Sequence, residues 1–418
     1  MYKYTLNYTE QMYAATKAIL PCFTVTLKEE IDGNTLAEAV QRALSYHPHF
    51  KTQLIKEDGL FKLVENERKP IVRESAWSDE IRYGGEDYNF FPWVITYTGK
   101  QIVFSAYHCL TDGGGTLCFL FAVTRQYLEL QGVKFETEIG LVAPENVERT
   151  MDNMFEVNAN PAVQGLPKPD LGEASPLPSE FYETDSAKIS TYRISLKLPD
   201  VKKLSMESET SNFTVVAYVI AKAMERAMGK SEGIVNIRIP VSLRGTFKSI
   251  SDRKSIIIPH LCYDIKLMGG LRRKMVETIF KSQLFLLSDK VNAIEGCNQM
   301  VESTQNLMAH PEKLDEMAKA FDEGCNAMNA GISYSQATNA HSFGEMAQYM
   351  ENYGAYHFPQ CMRYMEIIGN TFGGWINLSI SQSSKNDILV KKITEVLTEE
   401  AIRFEFEKME THGIMRPV

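Results

Sequence analysis

The sequence predicts an α/β (or α+β) protein with two domains. At 418 residues, the chain is too long for one ordinary hydrophobic core. Segments with the period-two alternation of strands are interleaved with segments of helical periodicity. A central stretch, 160–178, contains five prolines and few apolar residues, so it cannot form a regular element. We therefore expect domains at 1–160 and 185–418, joined by a proline-rich crossover at 161–184.

The first half alternates between predicted strands and helices. A strand is predicted at 21–27 and two hairpins at 52–64 and 94–107, because their apolar residues alternate and turn residues separate them. An amphipathic helix is predicted at 35–46, with Asn34 or Thr35 as its N-cap. The second hairpin runs directly into His108, and a helix is predicted from 115 to 130.

The second half continues this mixture. Strands are predicted at 191–198, 234–239, 256–265, 331–335 and 375–381. Helices are predicted at 212–227, 272–308, 311–328 and 386–409, the first of them ended by Gly229.

Composition excludes several classes of function. Forty-four basic and 53 acidic side chains give a formal net charge of −9 without any Lys/Arg-rich run, which argues against nucleic-acid binding. The first residues lack a signal-peptide pattern, and no window approaches the roughly 18 apolar residues of a membrane span. The seven cysteines are scattered and the histidines lack metal-ligand spacing. We expect a cytoplasmic protein with reduced thiols and no metal.

The motif His-x-x-x-Asp-Gly starts at His108, where the predicted strand gives way to a helix. An imidazole titrates near neutrality, so His108 can take a proton from a hydroxyl or amine that attacks a carbonyl. Asp112 lies around a tight turn and is better placed to accept hydrogen bonds that fix this turn. The glycines 113–115 permit backbone conformations closed to other residues and leave room for a substrate chain. The alternative is a buried histidine at a strand end, followed by an ordinary Asp-Gly turn.

Four segments of the sequence resemble the chloramphenicol-acetyltransferase-like superfamily, which includes alcohol acetyltransferases, plant acyl-CoA-dependent acyltransferases and the condensation domains of peptide synthetases. They are Tyr107-His108-Cys109-Leu110-Thr111-Asp112-Gly113, the predicted helix that begins Thr35-Leu36-Ala37 and ends at His47-Pro48-His49-Phe50, Pro240-Val241-Ser242-Leu243-Arg244, and Tyr334-Ser335 through Gly344-Glu345 to Tyr349. The last of these resembles the late strand and loop that face the active site in the family. In length and pattern, the bacterial alcohol-acetyltransferase-like proteins are the most similar group.

The resemblance implies two similar domains, each a mixed sheet with helices packed on it, and an active-site tunnel between them. It implies acyl transfer from a thioester, acyl-CoA or an acyl carrier protein, to a small alcohol or amine, with no permanently bound cofactor. His108 is then the general base, and Asp112 is structural and pairs with Arg244. Gly113 and Gly114 line the tunnel. The chain would be a monomer or a small homo-oligomer. Without the resemblance, Arg244 is an ordinary solvated arginine at a strand end.

Other candidate residues follow from position. Ser333, Ser335 and Thr338 lie in the late strand and loop expected to face His108, where a donor could stabilise an oxyanion. A solvated polar loop is the alternative. Arg253 and Lys254 could meet the phosphates of a CoA nucleotide, or they could simply lie on a wet surface.

Two departures from the family pattern narrow the class of acyltransferase that we expect. Tyr107 stands where condensation domains have the first histidine of a pair, and the segment 369–375 lacks the plant-type Asp-Phe-Gly-Trp-Gly pattern. Both favour a free-standing bacterial transferase. The chain has no Gly-x-Ser-x-Gly motif and no cysteine signature, so we expect direct attack without a covalent acyl-enzyme. Two alternatives stay open: a non-catalytic binding protein of the same fold, and a condensation-type enzyme that uses carrier-bound substrates.

Overall fold

The computed structural model describes residues 3–18, 21–76, 84–167, 172–182, 188–335, 343–356, 365–382, 384–409 and 412–413. Its strands are β1 (Lys3–Thr5), β2 (Cys22–Leu27), β3 (Thr52–Glu57), β4 (Leu60–Glu65), β5 (Val72–Glu74), β6 (Trp93–Thr98), β7 (Gln101–Ala106), β8 (Lys188–Lys197), β9 (Ile234–Arg238), β10 (Val241–Ser242), β11 (Ile256–Ile257), β12 (His260–Asp264), β13 (Ala330–Ser335), β14 (Met350–Tyr356), β15 (Glu366–Phe372), β16 (Trp375–Gln382), β17 (Phe404–Lys408) and β18 (His412–Gly413). Its helices are α1 (Tyr8–Ala15), α2 (Gly33–Ala43), α3 (Gly113–Leu130), α4 (Met154–Asn158), α5 (Leu198–Glu207), α6 (Asn212–Met228), α7 (Arg244–Phe247), α8 (Ile265–Met268), α9 (Arg273–Ser288), α10 (Lys290–Ala309), α11 (Leu314–Asn326) and α12 (Ile388–Glu399).

The first large sheet has the strand order β14-β2-β7-β6-β5 and is mixed, because β5 runs parallel to β6 while the other pairs are antiparallel. Helices α2 and α3 share a core with it, in which Val40 and Leu120 pack with Phe104. The N-cap of α2 is Asp32 and not Asn34 or Thr35, since the Thr35 N–H donates to the Asp32 carboxylate at 2.7 Å.

The second large sheet has the order β12-β9-β13-β15-β16-β8-β17 and is also mixed, since β13 runs parallel to both of its neighbours. Helices α6 and α12 share its core; for example, Val219 of α6 and Ile393 of α12 are buried in one cluster with Leu378 of β16. The predicted architecture, mixed sheets with helices packed on them, is confirmed.

One strand of the second half belongs to the first sheet. Strand β14 pairs antiparallel with β2, with Tyr353 opposite Val25 and Tyr356 opposite Cys22. The next strand in the chain, β15, lies in the second sheet beside β13. The two sheets are therefore joined by a strand exchange in addition to the 161–184 crossover, and the limits 1–160 and 185–418 remain a prediction.

Two predicted helices in the second half are wrong in extent. The 272–308 segment forms two helices, α9 and α10, because Asp289 between them is extended, with φ −57° and ψ 145°. The 386–409 segment is helical only in α12, and its end forms strand β17, which pairs with β8. The Phe404-Glu405-Phe406-Glu407 alternation is the period-two signal of this strand.

Within the described residues, no helix combines the length and apolar character that a membrane crossing requires. Nor do the described His, Cys, Asp and Glu side chains form a group of three or more that could bind a metal ion.

Candidate active site

The turn from β7 into α3 carries His108 and Asp112. Strand β7 ends at Ala106, and the His108 N–H donates to the Ala18 carbonyl at 2.8 Å. Asp112 is the N-cap of α3, and its Oδ1 accepts hydrogen bonds from Gly114 N at 2.9 Å and Gly115 N at 3.0 Å. An N-cap carboxylate satisfies amides that have no partner within the helix. The strand end and the capped helix thus fix the backbone on both sides of the turn.

Asp112 also forms a buried ion pair with Arg244. Its Oδ1 lies 2.7 Å from Arg244 Nη1, and its Oδ2 accepts from Ser255 N at 2.7 Å. Burial alone would raise the pKa of Asp112, but Arg244 and the backbone donors outweigh it and hold this pKa below its usual value. Because both carboxylate oxygens are occupied, Asp112 is placed to hold the turn and not to exchange protons.

Three residues of the segment 251–255, Asp252, Lys254 and Ser255, contact the turn, and every residue of the segment is buried. The Thr111 hydroxyl donates to the Asp252 carbonyl at 2.5 Å, and the Arg244 guanidinium donates to the carbonyls of Ser251 and Arg253. This segment is therefore the part of the second half against which the turn is fixed.

Arg253 and Lys254 lie within this segment and are only 5% and 1% exposed. Arg253 pairs with the buried carboxylate of Glu10 in α1, at 2.7 Å between Nη2 and Oε2. The structure therefore contradicts both sequence-based expectations for Arg253 and Lys254. A solvated surface and a CoA phosphate would each require these side chains to be accessible, and they are buried. This burial could not be predicted from the sequence, since a partner such as Glu10 is distant along the chain.

The three glycines serve close packing and not unusual backbone conformations. All three lie in the first turn of α3, and none has a positive φ. A Cβ on Gly114 would lie 2.6 Å from Arg244 Nη1, and one on Gly115 would lie 2.2 Å from the Asp252 carbonyl oxygen. The expectation of special backbone angles is wrong, whereas Gly113 and Gly114 do border the cavity described next.

A cavity of about 380 Å³ opens beside His108. Its walls come from both halves of the chain: Tyr13, Phe23, His108 and Leu117 from the first, and Ser242, Ile256, Ser333 and Asn370 from the second. Arg238 and Glu366, which also line it, form an ion pair with each other. A second cavity of about 630 Å³ lies between α1, α9 and α10 and shares Ile256 and Ile258 with the first.

The described contacts of the His108 ring include Tyr13, Thr111 and Lys254. The Tyr13 ring stacks on the imidazole, with 4.1 Å between ring centroids and 28° between planes. The Nδ1 atom lies 3.1 Å from the Thr111 carbonyl oxygen and 2.8 Å from Lys254 Nζ. Burial lowers the pKa of Lys254 to about 7. Sequence reasoning missed both Tyr13 and Lys254 as neighbours of His108.

The three predicted oxyanion candidates have different positions. Ser333 lies in β13 and lines the cavity beside His108. Ser335 ends the same strand, with its backbone opposite Asn370, but its side chain lies outside the described part of the structure. Thr338 lies outside the described residues altogether.

The later part of the predicted active-site loop packs elsewhere. The Glu345 carboxylate accepts from the backbone N–H groups of Glu136 and Thr137, at 2.9 and 3.0 Å. The Tyr349 ring contacts that of Phe135. For the described residues 343–349, the expectation that they face His108 is therefore wrong, because they are tied to the segment that follows α3.

Cys109, inside the motif, and Cys118, in the helix after it, are poor nucleophiles. Cys109 is fully buried, and burial raises the pKa of both Cys109 and Cys118 to about 12. A thiol attacks as its thiolate, which is scarce at neutral pH when the pKa is this high.

Comparison with solved structures establishes the fold. TRI101 from F. sporotrichioides, complexed with coenzyme A and T-2, superposes with a TM-score of 0.64 at 11% identity over 97% of this chain and 100% of that chain. Polyketide synthase associated protein 5 from Mycobacterium tuberculosis gives 0.64 at 14% identity over 95% and 97%. The condensation domain from the Monacolin K polyketide synthase MokA gives 0.55 at 13% over 96% and 98%. No family model and no curated protein sequence matches the chain.

These matches span nearly the whole of both chains in each pair. The protein therefore has the two-domain fold of these solved structures, and the predicted α/β architecture is confirmed. At identities this low the likeness concerns the fold, and function has to be argued from the site.

Proposed function

We propose that the protein transfers an acyl group from acyl-CoA to a small alcohol or amine, with His108 as the general base. The observation that carries this proposal is the position of His108, on a fixed strand-to-helix turn and beside a cavity walled by both halves of the chain. A cavity of this size suits a small acceptor together with the reacting end of a thioester. Asp112 and Arg244 hold the turn, and they take no part in proton transfer.

The proposed reaction is a direct displacement. The acceptor oxygen or nitrogen attacks the thioester carbonyl while His108 Nε2 takes its proton, and a tetrahedral intermediate forms. The carbon–sulfur bond then breaks, and the imidazolium returns the proton to the leaving thiolate. The products are an ester or amide and free CoA. The raised pKa values of Cys109 and Cys118 support a route without an acyl-enzyme.

We assign oxyanion stabilisation to Ser333. A donor at about 3 Å from the developing oxyanion stabilises a tetrahedral intermediate. Ser333 is the sequence-predicted candidate whose side chain lines the cavity beside His108. The two cavities that meet at Ile256 and Ile258 offer separate approaches for the acceptor and for the thioester.

The experiment that tests the function is thiol release. Purified protein is mixed with acetyl-CoA and a panel of alcohols and amines, and free CoA thiol is measured. We expect acceptor-dependent release that His108→Ala lowers by about 10²- to 10⁴-fold, the usual contribution of a general base. The matched control is His310→Ala, since His310 is half-exposed in the connection between α10 and α11. Unchanged release in His108→Ala would disprove the assignment of the base.

Two other outcomes identify the alternatives. Thermal stabilisation by CoA without turnover on any acceptor would indicate a binding protein of the same fold. Reaction with an acyl group loaded on a carrier protein, but not with free acyl-CoA, would indicate a condensation-type enzyme. This second alternative has some support, because condensation domains are among the structural matches.

A further inference from the structure

Lys254 is a buried amine whose nitrogen is surrounded by an imidazole nitrogen, a carbonyl oxygen and the face of an aromatic ring. Its Nζ lies 2.8 Å from His108 Nδ1, 3.3 Å from the His108 carbonyl oxygen and 3.8 Å from the centre of the Tyr13 ring. A neutral amine has two N–H bonds and one lone pair. These suit the carbonyl oxygen and the ring face as acceptors, and an Nδ1–H of His108 as donor.

The Thr111 carbonyl affects which direction of the hydrogen bond between Lys254 and His108 Nδ1 is favoured. This oxygen lies 3.1 Å from His108 Nδ1 and can only accept. It therefore favours the imidazole form that carries its proton on Nδ1. A charged Lys254 would instead donate to Nδ1, and the imidazole proton would then lie on Nε2. In that form, the lone pair of Nδ1 would lie close to a lone pair of the Thr111 carbonyl oxygen, with no proton between the two atoms.

The charged groups around Lys254 are already paired with others. From α1, Glu10 is bound to Arg253, and from the turn, Asp112 is bound to Arg244. Cys109 faces the amine as a neutral thiol, because burial raises its pKa to about 12, and the Tyr13 ring packs against the amine. Within the 251–255 segment, Asp252 pairs with His47. With both carboxylates committed to arginines, desolvation dominates and lowers the pKa of Lys254 to about 7.

We propose that Lys254 is a positioning residue for His108: as a neutral amine it accepts the Nδ1–H and keeps Nε2 as the basic nitrogen, and its protonation reverses this bond and moves the imidazole proton to Nε2. The proposal rests on the proposed function, because the consequence of the reversal is the loss of the general base. Acid then inactivates the site in a step that requires no charge on the imidazole itself.

The first test reads the tautomer directly and needs no substrate. Protein with ¹⁵N-labelled histidine is titrated by NMR from about pH 9 to about pH 6, and the ring nitrogens of His108 are assigned with His108→Ala. We expect the neutral Nδ1–H form at the alkaline end and its replacement by the neutral Nε2–H form on acidification. In Lys254→Met, the Nδ1–H form should persist until the imidazolium appears. An identical titration in the two proteins would overturn the proposal.

The second test compares a substitution that never carries a charge, Lys254→Met, with one that always does, Lys254→Arg. At alkaline pH, we expect Lys254→Met to lower kcat/KM by about tenfold, because the Thr111 carbonyl is then the remaining acceptor for the Nδ1–H, and we expect Lys254→Arg, which is always charged, to lose about 100-fold or more. The acid limb of the pH profile should lose its Lys254 component in Lys254→Met. A purely structural role predicts instead that activity follows folding stability at every pH, and that the acid limb is the same in Lys254→Met and in the wild type.

The two tests separate this proposal from the proposed function. If the wild-type protein transfers no acyl group but His108 still changes tautomer with pH, the function is wrong and the Lys254 device stands. If acyl transfer depends on His108 but the tautomer is the same in wild type and Lys254→Met, the function stands and the device is wrong. Thermal unfolding of each variant establishes that it is folded, and the Lys254→Met titration decides the outcome if Lys254→Arg does not fold.

Discussion

Asp112 and Arg244 form a 2.7 Å ion pair across 132 residues of sequence, and the same carboxylate oxygen caps helix α3. One oxygen atom therefore joins the first turn of a helix in the first half to a guanidinium of the second half. The Arg244 guanidinium in turn binds the carbonyls of the 251–255 segment. The position of His108 thus depends on contacts that neither half makes alone.

Removal of Arg244 should be strongly destabilising. Arg244→Met leaves the Asp112 carboxylate buried without its cation, and loss of one partner of a buried pair costs about 3–5 kcal/mol. We expect a loss of this size in the free energy of unfolding, measured by urea denaturation. The double variant with Asp112→Asn should be less unstable than the sum of the single variants, because no charge is then left unpaired.

An exposed ion pair provides the control for this prediction. The Arg403 guanidinium binds Asp200 through two hydrogen bonds, at 2.8 and 2.9 Å, but this side chain is 71% exposed. Arg403→Met should change the unfolding free energy far less, since water replaces the lost bonds. Equal losses for Arg244→Met and Arg403→Met would contradict the role of burial.

Gly115 should tolerate no side chain. The Cβ of Gly115→Ala would lie 2.2 Å from the Asp252 carbonyl oxygen, a backbone atom that cannot rotate away. We expect a loss of about 1–3 kcal/mol of stability from overpacking, measured by urea or thermal denaturation. The control is Gly324→Ala in helix α11, where nothing lies within 4 Å of the added Cβ and alanine is the better helix former. A Gly115→Ala protein as stable as the wild type would show that the 251–255 segment can move.

The sequence predicted the parts of this site that depend on local pattern. The alternation of Ile102, Phe104 and Ala106 indicates the strand that ends at His108, and the helix after it follows from apolar periodicity. The Asp112–Arg244 pair could be anticipated only from the resemblance to a known family, since a strand-end arginine by itself indicates solvent. Local pattern thus located the base but not the contacts that hold it.

The 251–255 segment shows why the remainder was missed. Ser-Asp-Arg-Lys-Ser is polar, and such a run usually lies at the surface. Its burial depends on partners such as Glu10, which is 243 residues away from Arg253. No period of two or 3.6 residues encodes a contact of that kind. By contrast, strand β17 carried a period-two signal in its own residues, and the helical pattern that precedes it obscured this signal.

His49 should make the fold sensitive to acid. Burial lowers the pKa of His49 to about 3. The hydrogen bond to Leu110 opposes this shift, and the charge of Arg253 adds to it. Its Nε2 lies 2.6 Å from the Leu110 carbonyl, as expected of a neutral ring that donates this hydrogen bond. The unfolded chain binds a proton at ordinary histidine pKa, so stability is complete above about pH 6.5 and is lost towards about pH 3.

The His49 contribution can be isolated with two variants. Between about pH 6.5 and pH 5, one such histidine costs the folded state about 2 kcal/mol. His49→Gln, which can still donate to Leu110, should reduce the pH dependence of urea denaturation by this amount. His310→Gln, at a half-exposed position, is the control for the loss of one histidine. Parallel pH dependences for wild type and His49→Gln would rule out this role of His49.

Ser333 should affect turnover more than substrate binding. If its hydroxyl stabilises the oxyanion, Ser333→Ala should lower kcat by about 10- to 1000-fold and change KM little. Ser242→Ala is the comparison, because Ser242 lines the same cavity from a different segment. Steady-state kinetics with the best acceptor measures both constants. A change confined to KM, or an equal effect of the two variants, would remove Ser333 from the mechanism.

Strand β14 has a consequence for how the protein is made. Strand β2 is flanked by β7 on one side and by β14 on the other, so it is an open edge until residue 356 is available. During synthesis, one edge of β2 therefore has unpaired backbone N–H and C=O groups until roughly two hundred residues beyond the first half have been made. Such edges recruit other chains. A fragment that ends at the crossover would carry the same edge permanently and is expected to aggregate, whereas supplying the 343–356 segment as a separate peptide should suppress this aggregation.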